Sequence, residues 1–396
     1  MGARPDLLLR FLLLYATLYC SFGFSSPFLP EFLTLRGVDP ESLGVLLGAG
    51  TAVRLVSAPI AGRLADVFGI FRLELGLFAI SAAVASLLYL PSHSFWLLVL
   101  VNLAQAALLA PLAPLSDALA LSWSRFTRQV EPRSFEYGWV RGAGSGAFVV
   151  GALTAGQLAN AWGLASVLLL TAVGLFATGL STRFAPDLER GRQTIRTRKV
   201  IEKDAVALLR QPAFVRMAIA AALVLGSHAM HDAFAVIRWS DAGISPAVSS
   251  VLWSESVAAE VVVFVLLGRW FLDVLGASGS LALGAAAAVM RWGVMAQTAN
   301  LTALAAIEPL HGLTFALFHL ACMRIIAETV PRGLVGTAQA FYGTVAIGGA
   351  TAVLAMVSGS LFSRFGSYGF WGMASLCCAA LPVIWSLRSS LRNSAE

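Results

Sequence analysis

Apolar residues run along this chain in long unbroken blocks rather than in the one-sided stripes of helices that face water. About twenty apolar residues carry a helix across the hydrocarbon core of a bilayer. Blocks of that length recur near 7–30, 42–61, 73–91, 95–119, 137–160, 163–183, 212–238, 248–270, 279–297, 301–323, 335–360 and 368–387, so the pattern predicts twelve membrane-crossing helices. The strands of a membrane barrel would alternate apolar and polar positions, which these blocks do not. The first block, from Leu7, is too long for a secretory-signal core and lacks a small-x-small cleavage site. Asp6 stands where a myristoylation signal needs Ser or Thr. The block is read as the first membrane helix.

Composition agrees with lipid as the solvent. Of 396 residues, 58% are hydrophobic and 12% charged, about half the 25% of a soluble domain. The net charge of +6 gains its meaning from position. With the N-terminus inside, 21 of the 27 Lys and Arg fall on the inner side, eight of them between Arg183 and Arg210. Arg36, Arg238 and Arg364 fall outside, and Arg54, Arg141 and Arg291 within spans. This bias predicts cytoplasmic termini in a plasma membrane (an inner membrane in a Gram-negative cell) and accounts for the basic surplus without a nucleic-acid partner. Cys20, Cys322, Cys377 and Cys378 lack metal-ligand spacing and read as buried structural thiols. No Gly-x-x-x-x-Gly-Lys-Ser/Thr loop is present, so ATP is not the source of work, and no cofactor is expected.

The long polar stretch 184–211 divides the chain six spans to six. The halves echo each other: Gly62-Arg63-Leu64-Ala65-Asp66-Val67-Phe68-Gly69 against Gly268-Arg269-Trp270-Phe271-Leu272-Asp273-Val274-Leu275-Gly276, and Gly156-Gln157-Leu158 with Gly163 against Gly359-Ser360-Leu361 with Gly366. The expected organisation is all-α, with a six-helix bundle over 1–183, a cytoplasmic linker over 184–211 and a second bundle over 212–396, monomeric. Carriers built from repeats place the solute near mid-membrane and rock around it.

Gly62-x-Leu64-x-Asp66-x-x-Gly69, with twelve spans and a 6+6 division, resembles the major facilitator superfamily over essentially the whole chain. Within it, Tyr137-Gly138-x-Val140-Arg141, Gly144-Ser145-Gly146, Ser227-His228-Ala229, Leu252-Trp253 with Glu260, Arg291-Trp292, and Leu310-His311-Gly312-x-Thr314-Phe315 with His319 resemble the phenylpropionate permease group, related to lactose and nucleoside proton symporters. The resemblance implies secondary active transport. It also implies that Arg63 and Asp66 belong to a gate near the inner surface, placed by this reading in the loop after the second helix. Arg269 and Asp273 echo them. His231, Asp232 and Glu308 depart from the group's pattern, which leaves the substrate open.

Ionisable groups inside a span are costly and are therefore candidates for function. At ~100° per residue, Glu308, His311, Phe315 and His319 share one narrow stripe, and His228, His231 and Asp232 share one face of the seventh span. Glu308, His311, Asp232 and Glu260 are the candidate proton carriers. Arg54, whose planar fork matches a carboxylate, is the candidate substrate anchor, with His228, His311, Phe315 and Trp253 around the solute. Glu260 and Arg291 are expected to pair, and Asp117 and Arg141 to be near enough to pair. His-x-x-His-Asp has no further ligand to make a metal site. The leading reading is proton-coupled symport of a small organic acid, aromatic rings included. An exporter, a symporter of a neutral sugar or nucleoside, and an embedded enzyme or receptor stand as alternatives.

Overall fold

A computed structural model describes residues 5–130, 136–187 and 206–393. The basic core of the linker, 188–205, lies outside the described residues with Arg4 and Arg133. Among the described residues eight apolar helical segments are long enough to cross a bilayer, and two of them, Pro246–Gln297 (52 residues) and Val335–Leu387 (53 residues), are each long enough to do so twice: 52 residues of straight helix would reach ~78 Å against a core of ~30 Å. The 26-residue helix Tyr137–Trp162 and the shorter Ala165–Ser181 accommodate the remaining two. The predicted all-α membrane architecture is the one observed.

The described chain falls into two compact units. The first comprises Met1–Val38, Ala49–Gln193 and Ser245–Ser254; the second comprises Asp39–Gly48, Thr194–Ile244 and Glu255–Glu396. In the first unit, α1 (Pro5–Ser25) packs on α7 (Tyr137–Trp162) and α8 (Ala165–Ser181). Phe11, Leu14, Tyr15 and Leu18, at helical spacing, turn one buried stripe toward them. The chain breaks at Ser26–Phe28 before α2 (Leu29–Leu35). The other helices here are most of α3 (Pro40–Phe68), α4 (Phe71–Leu88), α5 (Phe95–Leu109) and α6 (Leu112–Val130). Lipid tails are as apolar as leucine, so close packing rather than exclusion of water holds such helices together.

The second unit contains α9 (Pro212–Gly226), α10 (His228–Asp241), the end of α11 (Pro246–Val262), α12 (Gly268–Gln297), α13 (Leu301–Ile307), α14 (Phe318–Thr329), α15 (Val335–Phe341), α16 (Ala350–Phe365) and α17 (Phe370–Asn393). Three π-helical stretches, Val263–Leu267, Gly312–Leu317 and Tyr342–Gly349, all lie in this unit. The start of α3 belongs here because Gly44 has no side chain: a Cβ on it would lie 2.6 Å from the Ala355 carbonyl oxygen and 2.7 Å from the Gly359 Cα. Small residues let the two backbones meet.

The internal echo is visible in the backbone. Among the described residues six glycines have positive φ, and they form three pairs: Gly37 with Gly243, Gly69 with Gly276 and Gly163 with Gly366. The first pair went unnoticed in the sequence. One expectation is corrected here. Arg63 and Asp66 are not in a loop, because α3 continues to Phe68 and stops only where Gly69 turns to φ 65°, a conformation with little steric cost for glycine. Both side chains are exposed on the last turns of the helix.

Candidate functional site

The charges of the second unit converge on one buried cluster. Pro309 has no N–H to give back to the helix, and α13 ends in the short 3₁₀ turn Glu308–Leu310 before the π-helical Gly312–Leu317. This break seats Glu308, fully buried, against α12 and α11. Its Oε2 lies 2.5 Å from Arg291 Nη2, and its Oε1 lies 3.3 Å from His231 Nε2. The Ser256 hydroxyl donates to the same carboxylate and lies 3.2 Å from the Glu308 carbonyl oxygen. The expected Glu260–Arg291 pair is therefore replaced. Arg291 takes Glu308, seventeen residues along the chain, while Glu260 Oε2 lies 3.4 Å from His311 Nε2.

Proton positions follow from the partners. Arg291 Nη1 lies 3.0 Å from His311 Nδ1; a guanidinium only donates, so Nδ1 accepts and Nε2 carries the hydrogen toward Glu260. His228 Nδ1 lies 3.1 Å from the Val224 carbonyl and 3.2 Å from that of Leu225, so it donates. His228 Nε2 accepts from Thr314 Oγ1 at 3.0 Å. Both nitrogens of His228 are thus held by protein, and its ring stands edge-on to Trp292 and His311. Arg291 is fully buried, its charge lies over the Trp292 ring at 4.8 Å, and its Nε has no acceptor among the described residues.

The predicted stripe is present in altered form. His311, Phe315 and His319 stack nearly parallel, with ring centroids 5.4 and 6.5 Å apart and planes within 9° and 11°. Residues four apart on an α-helix are offset by about 40°. The wider π-helical turn brings them closer to eclipse. Glu308 leaves this stripe and is enclosed, while His311, Phe315 and His319 stay partly accessible. His319 Nδ1 meets the Tyr342 hydroxyl at 3.0 Å. Asp232 remains exposed, its Oδ1 3.6 Å from His231 Nδ1. A chain of contacts thus runs Asp232, His231, Glu308, Arg291, His311, Glu260, exposed at Asp232, partly exposed at Glu260 and buried at His231, Glu308 and Arg291 between them.

The first unit is arranged differently. Arg54, on α3, is exposed, and no hydrogen bond or ion pair reaches it among the described residues. Near it Tyr89 donates to Asn102 at 3.1 Å, and Gln105 donates to Ser86 at 2.8 Å while its buried Oε1 has no partner among the described residues. Asp117 and Arg141 do not bond each other. Asp117 Oδ1 accepts from Tyr15 (2.5 Å) and Tyr137 (2.9 Å), and exposed Arg141 lies over the Tyr19 ring at 4.7 Å. Trp253 is buried. On the inner-loop echo, Arg269 and Asp273 form an exposed pair at 3.7 Å, and Asp273 also meets Arg324 at 3.5 Å.

Sequence reasoning set His231 in a polar patch as an added titratable group without naming its partners, quoted Tyr137 only as part of a motif, and missed Ser256, Tyr15 and Tyr342. Each acts across 20 to 102 residues of chain. The signal was a polar residue in an apolar span, but its partner was not readable.

Comparison with known proteins agrees with this architecture. The chain is 32% identical over 372 residues to the probable 3-phenylpropionic acid transporter of Escherichia coli (strain K12), covering 94% of each. It is 22% identical over 376 residues to the uncharacterized transporter YwbF of Bacillus subtilis (strain 168), covering 93% of this chain and 91% of that one. Its backbone superimposes on the nucleoside transporter NupG with a TM-score of 0.82 at 15% identity, over 97% of this chain and 98% of that one. It superimposes on the POT family transporter PepTSo with a TM-score of 0.73 at 13% identity, over 99% of each. Transporters, not enzymes, share its fold and sequence. The model of the MFS_1 like family matches residues 8–373, and the chain, a multi-pass transporter of small solutes, belongs to that family.

Proposed function

We propose that the protein is a proton-coupled symporter of a small organic acid, arylpropionic acids included, working by alternating access between bundles over 1–183 and 212–396 with both termini cytoplasmic, as a monomer in the plasma or inner membrane. The observation that carries this reading is the contact chain from Asp232 to Glu260. It sets titratable groups end to end through a buried region and compensates the fully buried Arg291 with the Glu308 carboxylate. Ionisable residues kept inside a membrane protein mark proton relays and substrate paths. The kinship with a probable 3-phenylpropionic acid transporter supports an acid as cargo. Arg54, a guanidinium without a counter-ion among the described residues, matches the carboxylate by its planar fork. The stacked rings of His311 and Phe315 present a flat face to an aromatic tail. Arg63, Asp66, Arg269 and Asp273 would serve the gate at the inner surface.

The test is uptake of radiolabelled 3-phenylpropionic acid into proteoliposomes with an imposed inward proton gradient. Accumulation above the outside concentration, collapsing with a protonophore, is the expected result. Equilibration without accumulation at every pH would replace symport by facilitated diffusion. Glu308→Gln should retain equilibration and lose accumulation.

A further inference from the structure

His231 is held by three charged groups whose demands conflict. Its Nε2 lies 3.3 Å from Glu308 Oε1, an acceptor, and 3.2 Å from Arg291 Nη2, a donor. Its Nδ1 lies 3.6 Å from Asp232 Oδ1. Three states of the ring meet these contacts unequally. With hydrogen on Nδ1 alone, the N–H faces Asp232 at 3.6 Å, Arg291 is satisfied and Glu308 faces a lone pair. With hydrogen on Nε2 alone, only Glu308 is satisfied. As imidazolium, the ring donates to both carboxylates and sets its positive charge against Arg291. The neutral Nδ1–H form and the imidazolium therefore each leave one mismatch, and only in the second does Glu308 face two cations, Arg291 at Oε2 and the imidazolium at Oε1.

We propose that His231 is the group that takes up the transported proton, and that its protonation hands Glu308 over from the Arg291 guanidinium to the His231 imidazolium. The inference rests on the proton-coupled reading above and names its proton-binding residue. The net change is one proton gained on the ring nitrogens; no bond between heavy atoms is made or broken. Asp232 is the exposed member of the group, while His231 itself is nearly sealed. The other groups around the ring are consistent with a two-state element. On its own helix His228 is held by carbonyls and Thr314. From α11 comes Ser256, whose hydroxyl reaches both Glu308 and Arg291 Nη2. From the position just before the π-helical stretch comes His311, which accepts from Arg291. Trp239 and Trp292 flank the imidazole at 5.9 and 5.8 Å. Once Glu308 has turned to the imidazolium, Arg291 keeps only the neutral acceptors His311 and Ser256. A buried guanidinium without an anion is unfavourable, so the protonated state is the higher in energy and gives Glu308 back to Arg291 when the proton leaves.

The experiment measures protons taken up per molecule of labelled 3-phenylpropionic acid in proteoliposomes, alongside exchange of labelled for unlabelled acid at equal pH on both sides. Wild type is expected to take up one proton per acid. His231→Gln, which can bond Glu308 but cannot titrate, is expected still to exchange label, to take up no proton and to lose accumulation. His231→Gln with wild-type proton uptake overturns the assignment and leaves symport standing; wild type without proton uptake overturns both. Should His231→Gln fail to fold, Asp232→Asn, altered at an exposed side chain, serves instead. Loss of the neighbouring anion is expected to move the midpoint of proton uptake against pH about one unit lower, and an unmoved midpoint overturns the proposal.

Discussion

The two units treat charge in opposite ways. In the second, Arg291, Glu308 and His231 are buried and bonded to one another, and the more accessible Asp232 and Glu260 sit at the ends of the chain, with His311 beside Glu260. In the first, Arg54 and Arg141 are exposed, and neither has a carboxylate partner among the described residues. A buried ion pair is costly to desolvate and costly to break, and it is weak evidence for stability as such. Its use is to hold a charge that can be reassigned. An exposed guanidinium without an anion is inexpensive while wet and is ready for one. The difference argues that the second unit handles the proton and the first receives the acid.

The comparison breaks most visibly at Glu308. Glu308→Ala leaves Arg291 buried without an anion and should destabilise the protein by about 3–5 kcal/mol, read as a lowered midpoint of thermal unfolding in detergent. A midpoint within a degree of wild type would mean that the cluster is wet and that the contrast is false. Arg54→Ala should be the converse. Its unfolding midpoint should stay near wild type, since exposed substitutions without partners fall within about 0.5 kcal/mol. Acid binding should weaken by roughly 1.5–3 kcal/mol, the worth of hydrogen bonds to a charged group, or about 10- to 150-fold in Kd by titration calorimetry. Arg54→Lys should recover part of that, because the charge survives and the fork does not.

Asp117→Asn sharpens the comparison within the first unit. The two tyrosine hydroxyls that donate to Asp117 at 2.5 and 2.9 Å would keep a neutral acceptor, so a loss near 1 kcal/mol is expected with the affinity for acid little changed. A loss of affinity as large as that of Arg54→Ala would make Asp117 part of the acid site.

The smallest effect lies at the start of α3. Asp39 accepts the Ser42 backbone N–H at 3.0 Å, and its hydrogen bonds to Ser42 hold the carboxyl below its usual range. A carboxylate favoured in the folded state stabilises it above the ordinary carboxylate pKa, and that contribution fades as pH falls through the lower folded value. Asp39→Ala should therefore cost about 1 kcal/mol near neutral pH and less in strong acid, where the protonated carboxyl still accepts but has lost its charge. An equal loss at both pH values would remove the carboxylate charge from the capping explanation.

How far the sequence could be read depended on range. The span count and the echoes at Gly69 with Gly276 and Gly163 with Gly366 were legible, because lipid demands uninterrupted apolar blocks and a backbone with positive φ favours glycine. The stripe from His311 to His319 was legible because it rests on local helical spacing. Glu308 could be placed on that stripe only by assuming an unbroken α-helix; Pro309 and the π-helical turn after it moved the carboxylate inward. The Arg291 partner was misassigned for a related reason. Glu260 and Glu308 both lie on helices near α12, and depth along a span does not say which one faces the guanidinium. Arg63 and Asp66 were put in a loop because Gly62 reads as a helix end, whereas Gly69 is where the helix stops.

The division of labour meets its most direct test when proton uptake and acid binding are measured together in proteoliposomes of wild type, Arg54→Ala and Glu308→Gln. The account predicts one proton per acid in wild type, weakened acid binding in Arg54→Ala, and acid bound without proton uptake in Glu308→Gln. Proton uptake undiminished in Glu308→Gln, or acid bound by Arg54→Ala as tightly as by wild type, would contradict it.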